Sequence, residues 1–254
     1  MNDPHVEALH YRIKHADSVD FDKAPPLERE EPGFSVRIEN GHVTIVMKEH
    51  HPTAESARAV VEPFLRAWEL QSALFSAADK FEFAFQNSEV IDRRPTPGVL
   101  HAQGIEVKSP NIASVSVRVS RASYPGPPVG LACDDNVDLM LIRYCEWCEG
   151  RRSLGEAAYF CLTVLRLAAG NGKRAAAQEF GIALSVIDKL GTLTDEKGGR
   201  EARKAKGAKN EFTNAELTWL QEVMKTIIRR AAEVAYDSHA SRKQITMADL
   251  PSLD

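Results

Sequence analysis

The sequence predicts an α+β protein: an N-terminal antiparallel sheet packed on one long helix, followed by a C-terminal helical bundle. Three observations carry this. The apolar pattern is largely period-two before residue 123 and helical after residue 130. Tyr124-Pro125-Gly126-Pro127-Pro128 lies between the two patterns, and its prolines favour an extended, stiff connector. The 254 residues exceed one typical domain and fall short of three. The expected organisation is an N-terminal arm over 1–33, a β-rich domain with one long helix over 34–123, a connector over 124–130 and a helical domain over 131–254.

Residues 1–33 are mostly polar and end in a turn-rich stretch from Ala24-Pro25-Pro26 to Pro32-Gly33. They read as an arm, although Val6, Leu9, Tyr11 and Ile13 are apolar enough to dock. The first clear element is a hairpin. Phe34, Val36 and Ile38 alternate with polar residues, as do Val43, Ile45 and Met47, and Asn40-Gly41 between them suits a type I′ turn. A helix over 53–75 follows, with Thr53 as N-cap and a stripe of Val61, Phe64, Leu65, Trp68 and Phe75. Pro63 costs it a hydrogen bond and marks either a first turn or a kink. Phe81, Phe83 and Phe85 form the next period-two face, and Val115, Val117 and Val119 another; a weaker strand is expected near 104–107.

In the second part, helices are expected over 135–149, 153–169, 173–180, 183–191 and 213–237. Ser153 with Glu156, and Thr213 with Glu216, match the capping box, each cap contributing on the order of 1 kcal/mol. Ile245, Met247, Leu250 and Leu253 are spaced to dock the tail on the bundle.

Composition limits function. An apolar fraction of 43% and a charged fraction of 27% are those of an ordinary globular chain. A net charge of −4 argues against a surface that grips nucleic acid or anionic lipid everywhere, while leaving room for a local basic patch. The N-terminus has no apolar h-region, and apolar runs fall far short of the ~18 residues of a membrane span. The expectation is a cytoplasmic protein that does not enter the membrane, with its four cysteines as reduced thiols.

Several residues could carry chemistry. Cys145-Glu146-Trp147-Cys148 has redox spacing but sits late in a helix, where the dipole raises a thiol pKa; with Cys133 and Cys161 it reads as core packing. Glu49-His50-His51 and the series His5, His10, His15 read as solvated surface, so no metal or cofactor is expected. No nucleophile-elbow, phosphate-loop or zinc-protease motif is present. Residues 174–190 match helix-turn-helix spacing, with Ala177 four before Gly181. Ala183, Leu184, Ser185, Asp188 and Lys189 offer base edges little. The basic segment 197–209 supplies Lys197, Arg200, Arg203, Lys204, Lys206 and Lys209 against one acid, Glu201. These six are the candidate nucleic-acid-binding residues, suited to sequence-blind phosphate contact.

Arg143-Tyr144, the run Glu156-Ala157-Ala158-Tyr159-Phe160-Cys161-Leu162, and Ile228-Arg229-Arg230-Ala231-Ala232-Glu233 make residues 135–237 resemble the HEPN superfamily. That resemblance implies a prokaryotic four-helix domain of the kind found in toxin–antitoxin and phage-defence systems, often a ribonuclease with an Arg and a His separated by four to six residues. Here Arg230 and His239 are separated by eight. Arg94 and His101 fit the count but lie in the proline-rich loop of the other part, so no catalytic residue carries over. The leading expectation is a non-catalytic bacterial accessory or interaction protein. Its helical part would self-associate or dock a protein partner, with the basic segment available to nucleic acid. The alternatives are a HEPN-like ribonuclease near Arg229, Arg230 and His239, and a DNA-binding regulator using residues 174–190.

Overall fold

The computed structural model describes residues 2–15, 19–21, 23–75, 80–94, 119–197 and 211–253. The chain divides into two compact units, Met1–Pro127 and Pro128–Asp254. The first is built from an antiparallel five-stranded sheet and one long helix, the second from helices, which makes the protein α+β.

In the first unit the strands are β1 (Pro4–His15), β2 (Val19–Asp20), β3 (Leu27–Glu30), β4 (Phe34–Glu39) and β5 (His42–Met47); α1 (Ala54–Phe75), β6 (Phe81–Asp92) and β7 (Val119–Ser120) follow. The sheet order is β3-β4-β5-β1-β6. The reading of residues 1–33 as an arm is therefore corrected. β1 is an interior strand, hydrogen-bonded to β5 on one side and β6 on the other. Its register shifts between Val6 and Ala8 and between His10 and Tyr11. These irregularities interrupt the strict alternation that would have marked it as a strand.

The β4–β5 hairpin turns at Asn40 (φ 51°) and Gly41 (φ 72°), the two positive values a type I′ turn requires. Phe34, Val36, Ile38, Val43, Ile45 and Met47 face one core with Leu9, Tyr11 and Ile13 of β1 and Ala57, Val61, Leu65 and Trp68 of α1. α1 runs through Pro63 without ending. Pro63 and Ala59, whose carbonyl it leaves without an intrahelical donor, are both exposed, so water satisfies that oxygen. Phe75, counted in the apolar stripe, is 83% exposed. Trp68 is fully buried, and its indole N–H donates to the Pro125 carbonyl at 3.0 Å. Tyr124 accepts from the Gly41 N–H at 3.1 Å, and Gln71 donates to the carbonyls of Gly126 and Pro127. These bonds make 124–127 part of the first unit rather than a free connector. Val119–Ser120 pairs in parallel with Val19–Asp20; the other strand expectations, over 115–118 and 104–107, lie outside the described residues.

The second unit contains α2 (Asp135–Cys148), α3 (Leu154–Ala168), α4 (Lys173–Glu179), α5 (Leu184–Glu196), α6 (Asn214–Tyr236) and a short 3₁₀ turn at Met247–Asp249. Both expected capping boxes are present, at Ser153/Glu156 and Thr213/Glu216. α3 packs against the four other helices through Ala157, Ala158, Cys161, Leu162 and Leu165, all buried. α5 continues past Gly191 to Glu196 because Leu193 and Thr194 still bury against the bundle.

The tail docks through Arg230 and Ile245. Arg230, 7% exposed, donates to the carbonyls of Phe180 (2.9 Å), Gly181 (3.1 Å) and Lys243 (2.9 Å), and its Nε to Glu233 at 3.0 Å. The Ile245 N–H donates to Gly181 at 2.9 Å and its carbonyl accepts from Ala183 at 2.8 Å. One guanidinium thus joins α6, the α4–α5 corner and the tail. Arg230→Ala is expected to cost about 3 kcal/mol, because it takes a charged donor from the buried Phe180 carbonyl and unties the tail at Lys243. A urea titration measures the loss, and limited proteolysis should show cleavage after residue 239 that the unmodified chain resists.

Candidate ligand-binding cavity of the helical unit

The second unit holds an open cavity of about 1030 Å³. Its walls come from the last turn of α2, the α2–α3 turn, one stripe of α3, the end of α5 and the start of α6. Gly150, at φ +71°, lets the chain reverse after α2. The N–H groups of Glu149, Gly150 and Arg151 donate back to carbonyls of Cys145, Trp147 and Glu146. That turn fixes Arg143 and Trp147, four residues apart on α2, beside Glu156, Tyr159, Phe160 and Thr163, a single polar and aromatic stripe on α3. Phe212 closes the opposite side, where a Cβ on Gly155 would meet its ring at 3.4 Å.

Four aromatic side chains, Trp147, Tyr159, Phe160 and Phe212, line this cavity while partly exposed. Cations stand among them. Arg143 lies over the Phe160 ring, 4.5 Å from its centroid, and donates to Glu146 at 2.7 Å. Arg151 and Arg152 approach the same carboxylate at 3.7 and 3.6 Å. Arg151 also pairs with Glu149, and the carboxylates Glu156 and Glu211 line the same cavity. Lys197, just after α5, donates to both oxygens of Glu216 at 2.7 Å. Burial opposes ionisation of Glu216, but Lys197 and the Thr213 cap outweigh it and hold the carboxyl below its usual range.

Lys197 and Glu211 both line the cavity, so the basic segment leaves and re-enters the described structure there. Of the six candidate residues, Lys197 is placed at the site; Arg200, Arg203, Lys204, Lys206 and Lys209 lie outside the described residues. Sequence reasoning missed the aromatic wall. Its signal was present as the i, i+3, i+4, i+7 stripe of Glu156, Tyr159, Phe160 and Thr163, but that stripe lies opposite the core stripe, and nothing in the sequence brings Phe212 next to it.

The other candidates sit elsewhere. Cys145 and Cys161 are buried and Cys148 is exposed, with no disulfide among the four cysteines. Among the described residues no group of three or more His, Cys, Asp or Glu is placed to hold a metal ion. The reading of His5, His10, His15, His50 and His51 as solvated surface is corrected for two of them: His5 is 1% exposed and His51 9%, because β1 is inside the sheet and the turn after β5 folds over it. Arg230 is committed to the carbonyls of Phe180, Gly181 and Lys243, and His239 is exposed. His101 lies outside the described residues. On α5 the exposed positions are Ser185, Asp188, Thr192 and Glu196, and Asp188 pairs with Lys173 at 2.6 Å. None of these four exposed residues is a cation that could meet a phosphate. A smaller cavity of about 320 Å³ in the sheet unit is lined from β1, α1 and β6, with Arg58 paired to Glu62 and Arg66 to Glu69. Among the described residues no helix is long and apolar enough to cross a membrane.

Comparison of the chain with protein-family models, curated proteins and solved structures gives no match.

The thiols give a direct check on this part of the structure. Cys161 is fully buried and burial pushes its thiol up to about 12, so its thiolate fraction at neutral pH is roughly a thousandfold below that of an ordinary cysteine. A thiol reagent should modify Cys148 in the native protein and reach Cys161 only after unfolding, as read by peptide mass spectrometry.

Proposed function

We propose that the helical unit binds single-stranded nucleic acid without sequence preference, as the working part of a non-catalytic prokaryotic accessory protein. The observation that carries this reading is the meeting of partly exposed aromatic rings with cations at the root of the basic segment. Bases unpaired from a partner strand stack on such rings, and guanidinium and ammonium groups take the phosphates between them. A duplex keeps its bases stacked and would present only its backbone. The segment 197–209 alone offers phosphate contact but no stacking; the cavity supplies what it lacks.

The HEPN-like reading also concerns RNA, but its chemistry would fall to Arg229, Arg230 and His239, and Arg230 is spent on backbone carbonyls. The helix-turn-helix reading needs a cationic outer face on α5; Lys189 is partly exposed there, but the exposed Asp188 stands next to it and Ser185, Thr192 and Glu196 add no further cation.

Fluorescence anisotropy with labelled single-stranded RNA and DNA, and with a duplex of the same sequence, tests the proposal. Stacking contributes about 1–3 kcal/mol per base, so Trp147→Ala and Phe212→Ala should each weaken single-strand binding roughly fivefold to hundredfold while leaving duplex binding little changed. Replacing the basic residues of 197–209 with glutamine should flatten the salt dependence by about 0.7 in log–log slope for each phosphate no longer neutralised. Single-strand affinity unchanged in all three variants would refute the reading.

A further inference from the structure

The turn after β5 brings two histidines, His50 and His51, to a third, His5 of β1. β5 ends at Met47, and the chain doubles back so that the His51 carbonyl accepts from the Val6 N–H of β1 at 2.8 Å. The His51 N–H in turn points at Nδ1 of His5, 3.4 Å away. A backbone N–H can only donate, so Nδ1 of His5 accepts and is unprotonated, which puts the ring proton on Nε2, 3.6 Å from a Glu7 oxygen. The His5 and His50 rings stack, with centroids 5.4 Å apart and planes 18° from parallel. Nε2 of His51 is buried and has no hydrogen-bond partner among the described residues. Thr53, which caps α1 through the Ser56 N–H, follows two residues later.

From this arrangement we infer that His5, seated against His50 and His51, is a proton-operated latch, which holds the 48–52 turn on β1 while its ring is neutral and releases it when it protonates. A proton on Nδ1 of His5 turns an acceptor into a donor facing another donor, so the contact to His51 becomes repulsive.

The charged surroundings divide. Glu7 on β1 faces His5 and favours its protonation. Asp3 lies 3.7 Å from His50 Nε2 and is shared with Arg94 at 3.8 Å, and Asp92 is occupied by the N–H groups of Asn2, Asp3 and Arg94. Arg93, just past the end of β6, opposes protonation of His5, as do His50 and His51. Burial first and Arg93 second hold His5 below its ordinary value, against the pull of Glu7. The sign follows: the open turn takes up protons near the ordinary histidine value of about 6.5, the closed turn only below it. The latch is therefore complete above that value and weakens as pH falls through the folded value, by up to about tenfold per pH unit for each proton taken up. Acidification would free the turn that leads into α1 while the apolar sheet core holds.

Amide exchange of the full chain at pH 7.5 and 5.5, corrected for the intrinsic pH dependence of exchange, tests this, with the Ile45 amide as an internal control. The Val6 amide should lose up to about tenfold more protection than Ile45 on acidification; a loss no greater than that of Ile45 would overturn the latch. His5→Gln retains an acceptor but cannot titrate, and should abolish that difference; a full loss of Val6 protection persisting in this variant would overturn the latch. Should His5→Gln fail to fold, NMR titration of the His5 ring in the unmodified protein decides the matter. A midpoint below about 6.5, moving together with the Val6 amide, supports the latch, and a midpoint at or above it overturns it.

Discussion

The sheet unit depends on β1 lying between β5 and β6. A strand at that position must satisfy hydrogen bonds on both edges, so residues near the N-terminus are tied to residues near 45 and near 90 at once. The core then forms on one face, where Leu9, Tyr11 and Ile13 complete the apolar surface begun by the β4–β5 hairpin and α1 covers it with Val61, Leu65 and Trp68. Without β1, β6 would be separated from the β3-β4-β5 sheet and would have no strand to pair with in it. The same placement carries His5 into the interior and obliges the turn after β5 to cover it. What looks from composition like a polar lead-in is the strand that makes the unit cooperative.

The helical unit rests on a different device. Its core is apolar and centred on α3, but the α4–α5 corner and the tail meet α6 through backbone carbonyls, which apolar packing cannot satisfy. A single buried guanidinium does so, because its donors are fixed in a planar fork and reach several acceptors in one geometry. That assignment also has a functional consequence. An arginine that spends its donors on structure is not available to a substrate, which turns attention from the end of α6 to the opposite end of the bundle.

At that end the same helices that bury one stripe in the core present another to solvent. Tyr159 and Phe160 follow from the core positions Ala157 and Ala158 by the geometry of the helix, and the α2–α3 turn sets Trp147 and the arginines beside them. Aromatic faces and cations in one open cavity suit ligands that are both planar and anionic, which is the chemistry of an unpaired strand. The cavity and the histidine turn lie in different units and depend on different physics, stacking in one and proton uptake in the other.

Local signals determined much of this protein by themselves. The Asn40-Gly41 turn, the two capping boxes, the bounds of α2, α3, α4 and α6 and the α+β class were all legible, because each rests on residues within a few positions of one another. Tertiary structure alone decided the place of β1, whose bulges disrupt its alternation and whose partners lie some thirty to ninety positions away. It decided that two histidines are buried, since burial depends on what folds over a side chain and not on its neighbours in sequence. It also decided that Phe212 stands across from Gly155 and Tyr159, and that Arg230 belongs to the scaffold. Spacing along a chain fixes which face of an element a residue occupies; only the packing of elements from distant parts of the sequence fixes what that face meets.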